Sequence, residues 1–358
     1  MKQLIGMIRK PGIKVIICKS FYQTIFIILL LFIVGSCSRK SSLPFSFAFY
    51  NVENLFDTID DPRIRDNSHL PDAQVPWNTE RYQTKLDNLA RVMASVDSAN
   101  FPTLFGLCEV ENAQVVYELI HHPKLRPASY SLLHKDSPDE RGIDVALLYQ
   151  KDIYTPVETQ YIKPVFPIKP DSRTRDILYS KGLIYGSDTL HIFINHWVSR
   201  WGGREETEPF RRHIGQLLKQ KTDSILKVIP KANIIIAGDL NDNPDDLSVA
   251  EDLGAKLPQN LIEESSLYNL SWQKFTQGEG TLFYRSWDMF DQIIVSGAML
   301  KGKKGLMVES KDQIIIKYDW MLYQPEKGEA RPSRTAGSKS YYGGYSDHLP
   351  VLIRISRN

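Results

Sequence analysis

Short apolar runs recur along the chain, and most of them stop at an acid, an amide or an imidazole. Runs of strand length occupy Phe45 to Tyr50, Leu104 to Cys108, Val145 to Tyr149, His191 to Asn195, Asn233 to Ala237, Ile293 to Val295 and Val351 to Ile355. They are rich in β-branched and aromatic residues, which predicts strands. Between the first two, Tyr82, Leu86, Leu89, Met93 and Val96 are apolar at spacings of three and four, predicting an amphipathic helix within Thr79 to Val96. Phe210, Ile214, Leu217, Leu218 and Ile225 repeat that pattern ahead of the Asn233 run. Helices alternating with strands, beside β-rich segments, predict two sheets flanked by helices. In such a layered arrangement adjacent strand ends bring together residues that are far apart in sequence.

The N-terminus follows a different pattern. Residues 1 to 36 carry Lys2, Arg9, Lys10, Lys14 and Lys19 and no acid, then an apolar stretch from Ile25 to Val34 and Gly35-Ser36-Cys37. A basic segment, a short apolar segment and small residues at a cleavage point describe a secretory signal. The competing reading, a membrane span, needs roughly 20 apolar residues, and Gln23 and Thr24 interrupt the run early. Val34-Gly35-Ser36-Cys37 resembles the bacterial lipobox, which implies cleavage before Cys37, lipid attached to that residue and a tethered rather than spanning protein. The expected organisation is a lipoprotein signal over 1–36, a lipidated tether over 37–44 and one domain over 45–358. No Gly/Ser-rich linker, repeat or low-complexity tract divides the last of these. The expected location is the bacterial cell envelope outside the cytoplasm, with the outer membrane suggested by the absence of aspartate in Ser38-Arg39-Lys40.

Charge and cysteine use narrow the function classes. The chain holds 44 basic and 42 acidic residues, and loss of the five basic residues of the signal leaves 39 against 42. Such a balance gives no support to tight, sequence-independent polyanion binding, although Arg200, Arg204, Arg211 and Arg212 form a local basic cluster. With Cys18 removed and Cys37 lipidated, Cys108 alone remains, so neither an intrachain disulfide nor a cysteine zinc site is expected. Cys108 lies in an apolar run and is read as a small buried side chain.

Six segments carry the candidate chemistry: Asn51-Val52-Glu53-Asn54, Cys108-Glu109-Val110-Glu111, Asn195-His196-Trp197, Gly238-Asp239-Leu240-Asn241, Phe290-Asp291-Gln292 and Ser346-Asp347-His348. Each alone has an ordinary structural reading, as a turn, a solvated pair or a strand-end polar residue. Their order and spacing from about Phe45 to Ile355 resemble the endonuclease/exonuclease/phosphatase family of divalent-metal phosphoesterases. The resemblance implies a four-layered α/β/β/α sandwich of two mixed sheets flanked by helices, with the site at the rim of the packed sheets. It also implies Mg²⁺ as cofactor, with Mn²⁺ or Ca²⁺ as alternatives. The donors agree, since carboxylate and amide oxygens suit a hard cation.

The same resemblance assigns roles. Glu109 matches the main metal ligand, with Asn51, Asp347 and Glu53 placed near the metal or its waters. Asp239 matches the carboxylate that aligns or deprotonates the attacking water, and Asn241, two residues on, the amide that holds phosphate. His348 matches the terminal histidine and Asp291 its carboxylate partner, which favours imidazolium. His196 is expected at the phosphate or leaving group, oriented by Glu140. Arg141 and Arg200 are expected to bind substrate. In Asn195 to Arg204, aromatic residues interleaved with arginines fit base stacking and a packed loop equally well. His69, His121, His122, His134, His191 and His213 show no carboxylate spacing of a zinc site and are read as structural. The leading reading is a metal-dependent nuclease acting on a phosphodiester substrate. The alternatives are a sphingomyelinase-like phosphodiesterase, a nucleotide or inositol-phosphate phosphatase, and an inactive surface binding module.

Overall fold

Strand β1 (Phe45–Leu55) shows how the layers arise. Side chains alternate across a strand, so Phe45, Phe47 and Phe49 enter one buried cluster while Ala48, Tyr50 and Val52 enter another on the opposite face. Both faces are covered, which is why the run is continuously apolar. The computed structural model describes residues 44–97, 100–259, 261–301 and 305–357. Cys37 and the expected signal and tether therefore lie outside the described residues.

The first sheet runs in the order β14 (Leu306–Val308), β18 (Val351–Arg357), β1, β2 (Leu104–Val110), β4 (Asp144–Gln150), β3 (Tyr130–His134), with β15 (Ile314–Ile315) pairing β18. The second runs β5 (Tyr154–Ile162), β6 (Ile177–Ile184), β7 (Asp188–His196), β8 (Asn233–Asp239), β13 (Asp291–Ser296), β10 (Leu267–Asn269), β9 (Ala255–Lys256). Each sheet mixes parallel and antiparallel pairs: β1 with β2 and β7 with β8 are parallel, β1 with β18 and β8 with β13 antiparallel.

Between the sheets, Phe47, Phe49 and Leu147 meet Ile192, Ile194, Ile235 and Ile293. Helices α1 (Thr79–Ser95) and α2 (Ala113–His121) cover the outer face of the first sheet through Leu86, Leu89, Met93 and Leu119. Helix α3 (Arg204–Val228) covers the outer face of the second through Ile214, Leu218 and Leu226. Each such side chain contributes about 1.5–3 kcal/mol by leaving water. The result is the expected four-layered sandwich, and Leu43–Asn358 form one compact unit. The helix boundaries follow their caps, the Asn78 side chain accepting from the Arg81 amide and that of Asn112 from Gln114 and Val115. Two small hairpins, β11 (Leu282–Tyr284) with β12 (Ser286–Asp288) and β16 (Leu322–Tyr323) with β17 (Arg331–Pro332), complete the strands. Among the described residues no helix is long and apolar enough to cross a membrane.

Candidate active site at the rim of the two sheets

In the second sheet the strand register alone builds a row of polar groups. Parallel pairing sets His196 opposite Asp239, and antiparallel pairing sets Asp239 opposite Asp291. Each is two residues beyond a member of the inter-sheet core, Ile194, Ala237 and Ile293 respectively. Alternation therefore turns all three toward the first sheet.

The first sheet reaches the same place by irregularity. The β1–β2 register shifts between Asn51 and Leu55, and the β2–β4 register between Cys108 and Val110. Inside these bulges Glu53, Asn54 and Glu109 have φ of 50°, 52° and 63°, and Asn241, on the loop after β8, has φ of 50°. L residues rarely occupy this left-handed region, and bulges re-aim side chains beside functional sites. The Asn54 amide donates to Glu109 Oε2 at 2.9 Å, while Glu109 Oε1 faces His196 Nε2 across 3.8 Å.

The last contributor is the turn before β18. Ser346 Oγ donates to the Asn51 carbonyl at 2.8 Å and accepts from the His348 amide at 3.0 Å, which fixes the turn. His348 Nδ1 then lies 2.6 Å from Asp291 Oδ2. Asn51 Nδ2 donates to Asp239 Oδ2 at 3.0 Å and stands 3.5 Å from His348 Nε2. Residues 51, 239, 291 and 348 thus converge across both sheets, with His348 Nε2 also 3.8 Å from Asp239 Oδ2.

Burial differentiates the groups. It works against a charged His348, yet the carboxylates of Asp291 and Asp239 outweigh it and hold this imidazole well above its usual range. For His196 burial dominates, with Arg175 and Arg141 adding repulsion, and the ring is held well below its usual range. The site therefore holds one imidazolium and one neutral imidazole. Burial, together with Asp291 and Glu109, pushes Asp239 up to about 6 against the pull of His348.

The other candidates have partners of their own. Glu53 accepts from the Thr335 amide at 2.6 Å and from Arg334 Nε at 3.4 Å, so it anchors the 334–336 segment. Asp347 lies 3.2 Å from Arg334. Arg141 remains half exposed, with Nε 3.7 Å from Asp139. Arg200, expected on substrate, donates instead to Asp242 at 2.9 Å and Asp246 at 2.5 Å. The basic cluster is likewise matched by acid: Arg204 pairs with Asp246, Arg211 with Asp242 and Arg212 with Asp252. Arg211 is buried and needs such a partner, whereas Arg204 and Arg212 keep exposed side chains. Glu140 does not orient His196, because it pairs with Arg65. Asn241 donates Nδ2 to the Trp197 carbonyl at 3.2 Å. The aromatic segment divides, with Trp197 fully buried and Trp201 exposed.

Three contributors escaped the sequence reading. Arg175 is buried and links the His196 and Trp197 carbonyls to Asp139. Arg334 bridges Glu53 and Asp347. Lys85 is fully buried and donates to Thr335 Oγ1 at 2.5 Å and the Tyr345 carbonyl at 2.7 Å, with burial lowering it to about 8. A signal for Lys85 existed, since it falls three residues after Tyr82 and four before Leu89, on the apolar stripe of α1.

The donors fit a hard divalent cation. Glu53, Glu109, Asp239, Asp291 and Asp347 converge on Lys85, Arg334 and His348, which leaves excess acid in a buried place. Oxygen donors with little competition from nitrogen suit Mg²⁺ or Mn²⁺. Glu109 Oε1 would hold such an ion, with water completing the shell.

Comparison with known proteins agrees with this geometry. D. rerio TDP2 complexed with single-strand DNA product superposes with a TM-score of 0.52 at 18% identity, covering 87% of this chain and 98% of that one. The human Nocturnin catalytic domain with bound sulfate anion gives 0.51 at 18%, covering 88% and 95%. An endonuclease/exonuclease/phosphatase family protein from Bacteroides thetaiotaomicron gives 0.51 at 14%, covering 88% and 98%. A search of curated proteins returns no match. The sequence profile of the Endonuclease/Exonuclease/phosphatase family matches residues 46–357, and the chain belongs to that family.

Proposed function

We propose that the protein is a divalent-metal-dependent phosphodiesterase that cleaves nucleic acid outside the cytoplasm, tethered through lipid on Cys37. The observation that carries the reaction class is the His348–Asp291 pair at 2.6 Å beside Asp239, whose Oδ2 is 3.8 Å from His348 Nε2, which sets an imidazolium and a carboxylate of raised pKa side by side. A cation held by Glu109 would neutralise charge on the phosphoryl oxygens. Asp239, held in place by the Asn51 amide and the Asn241 backbone N–H, takes the proton of the attacking water. His348, kept charged by Asp291, donates to a phosphoryl oxygen as negative charge grows there. Neutral His196, with Nε2 3.7 Å from Asp239 Oδ2 and 3.8 Å from Glu109 Oε1, donates a hydrogen bond to the phosphate or leaving oxygen.

Nucleic acid is favoured by the surface beside this site. His348 forms a bridge with Leu282 of β11, and that hairpin carries exposed Tyr284 with Arg285 over its ring at 5.5 Å. Lys317 lies 4.3 Å from the ring centre of Trp287, and Arg331 5.4 Å from that of Tyr323. Aromatic faces paired with cations suit stacked bases and a phosphate backbone. The likeness to a TDP2 that was solved with a single-strand DNA product points the same way.

The test uses purified protein on supercoiled plasmid with Mg²⁺ or EDTA, with Asp239→Ala as the contamination control. Metal-dependent nicking that disappears in the variant is the expected result. Intact plasmid would overturn the nuclease reading and direct the assay to phospholipid, nucleotide and inositol-phosphate esters. Labelled palmitate incorporated by the wild type but not by Cys37→Ala would support the tether.

A further inference from the structure

The β3–β4 hairpin carries a second group of ligand-type side chains outside the catalytic rim. His134 ends β3, Asp144 opens β4 and Asp136 lies between them, and one donor atom from each falls within 4.8 Å of the others. His134 Nε2 is 3.5 Å from Asp144 Oδ2 and Nδ1 is 3.8 Å from Asp136 Oδ1. The His134 side chain is 2% exposed and that of Asp144 3%. Asp144 uses Oδ1 to accept from the Ser137 amide at 2.9 Å, which leaves Oδ2 to face the ring.

The unbonded atoms point to a ligand. His134 Nε2 is buried and has no hydrogen-bond partner, and neither does Asp176 Oδ1 at the entry to β6. Buried polar groups are ordinarily paired, so a buried imidazole with one acid beside each ring nitrogen and Nε2 left without a bond requires an explanation. Asp144 is among the groups that raise the Asp176 carboxyl, after burial, so these acids feel one another across the hairpin. A cavity of about 760 Å³ gives access to Asp136 and Asp144, its other acids, Asp57, Asp60, Asp61 and Glu111 among them, outnumbering Arg63, Arg65 and Arg173. An acid-lined approach concentrates cations.

We propose that His134, Asp136 and Asp144 bind a divalent transition-metal ion. An imidazole among carboxylates favours Zn²⁺ or Mn²⁺ over Mg²⁺, whose preference is for oxygen alone. Asp136, whose side chain is 63% exposed, leaves the outer positions open to water. Asp144 pairs with Val110, the residue after Glu109, and Arg141 belongs to the same hairpin. An ion here braces the loop between β3 and β4 and so positions Arg141 without touching the reacting phosphate.

The experiment uses metal-stripped full-length protein carrying Glu109→Gln to weaken the catalytic centre, titrated calorimetrically with Zn²⁺ and melted with and without it. One Zn²⁺ equivalent that raises Tm is expected. It should disappear when His134→Ala is added and weaken at least ~10-fold with Asp136→Asn, the scale on which even outer partners of a ligand act. Because Asp136 is exposed, the second variant remains informative if the first fails to fold. No Zn²⁺ binding in Glu109→Gln, binding unchanged by Asp136→Asn, or displacement by equimolar Mg²⁺ would each overturn the proposal.

Discussion

The two sheets reach the same site by opposite routes. In the second, His196, Asp239 and Asp291 lie in unbroken register, and their orientation follows from pleating alone. In the first, Glu53, Asn54 and Glu109 occupy two bulges in left-handed backbone. The regular rim carries His196 and Asp239, both shifted by burial, which need fixed distances in a dry setting. The bulged rim carries Glu109, which under the proposed function presents an oxygen to an ion. Local strain is the cost of turning that carboxylate out of a strand whose neighbours are core.

This division predicts different kinetic losses, and it yields the largest effect. Asp239→Ala should lower kcat at saturating Mg²⁺ by at least ~10²-fold, the scale for loss of a general base. Glu109→Gln should raise the Mg²⁺ concentration for half-maximal rate at least ~10-fold and recover in part at high Mg²⁺. If Mg²⁺ rescued Asp239→Ala and not Glu109→Gln, the roles of the two rims would be reversed. Metal-free Asp239→Asn should also melt no lower than wild type, since it removes a buried acid crowded by Asp291 and Glu109.

Backbone substitutions test whether the regular rim depends on its register. A Cβ at Gly238 would meet the Asn195 carbonyl oxygen at 2.4 Å, whereas at Gly106 it would meet the far end of Ile194 at 2.8 Å and the Phe49 ring at 2.9 Å. Backbone yields less than a side-chain tip. Gly238→Ala should therefore destabilise at the top of the ~1–3 kcal/mol range for overpacking and depress kcat, because Asp239 and His196 move with their strands. Gly106→Ala should lie nearer the bottom and leave kcat intact. Urea denaturation and initial rates measure both.

How much was legible in the sequence follows the same contrast. The strands over Phe45, Leu104, Val145, His191, Asn233, Ile293 and Val351 appeared as apolar runs because both their faces are buried. Strand β3 was missed, being half-buried beyond Tyr130. Strand β5 was missed because its positions alternate between exposed and half-buried and include Pro156. Strand β6 was missed because Ser180 and Lys181 interrupt its pattern. The row His196, Asp239, Asp291 was readable from where runs stop. The Glu53–Arg334–Asp347 bridge was not, since no local pattern joins residues 281 apart. Arg200 misled for a related reason: the acids that take it up, Asp242 and Asp246, lie 42 and 46 residues away.

The pH profile separates Asp239 of the regular rim from His348 on the turn before β18. Activity needs Asp239 ionised, so kcat/KM should rise with pH through about 6. It also needs His348 charged, and since Asp291 and Asp239 raise that ring above its usual range, the fall should come well above pH 6.5. Asp291→Asn should move the falling limb to lower pH, costing about tenfold in rate near pH 8 and less near pH 6. Stability carries the same sign. A raised imidazole stabilises the fold fully below its unfolded pKa and loses that contribution as pH rises through the folded value. The Tm deficit of Asp291→Asn should thus be largest in acid and shrink in base. A basic limb unmoved by the substitution would detach His348 from it.

The smallest effect isolates strain from ligation in the bulged rim. Asn54 has φ of 52° and contributes its backbone N–H to Glu109 Oε2. Glycine adopts this conformation freely and keeps the amide, so Asn54→Gly should hold Glu109 in place while removing left-handed strain, at the expense of unfolded-chain entropy. Asparagine tolerates the region better than most residues, so the two effects nearly cancel and stability should change by less than ~0.5 kcal/mol, with Mg²⁺ dependence unchanged. Asn54→Val is the opposing case. A β-branched side chain at positive φ is an outlier, and the ~1–2 kcal/mol it adds can be relieved by flattening the bulge. Flattening would carry the amide away from Glu109, so the requirement for Mg²⁺ should rise along with the loss of stability. If Asn54→Val lost stability at wild-type Mg²⁺ dependence, the bulge would be a feature of the fold with no part in aiming Glu109.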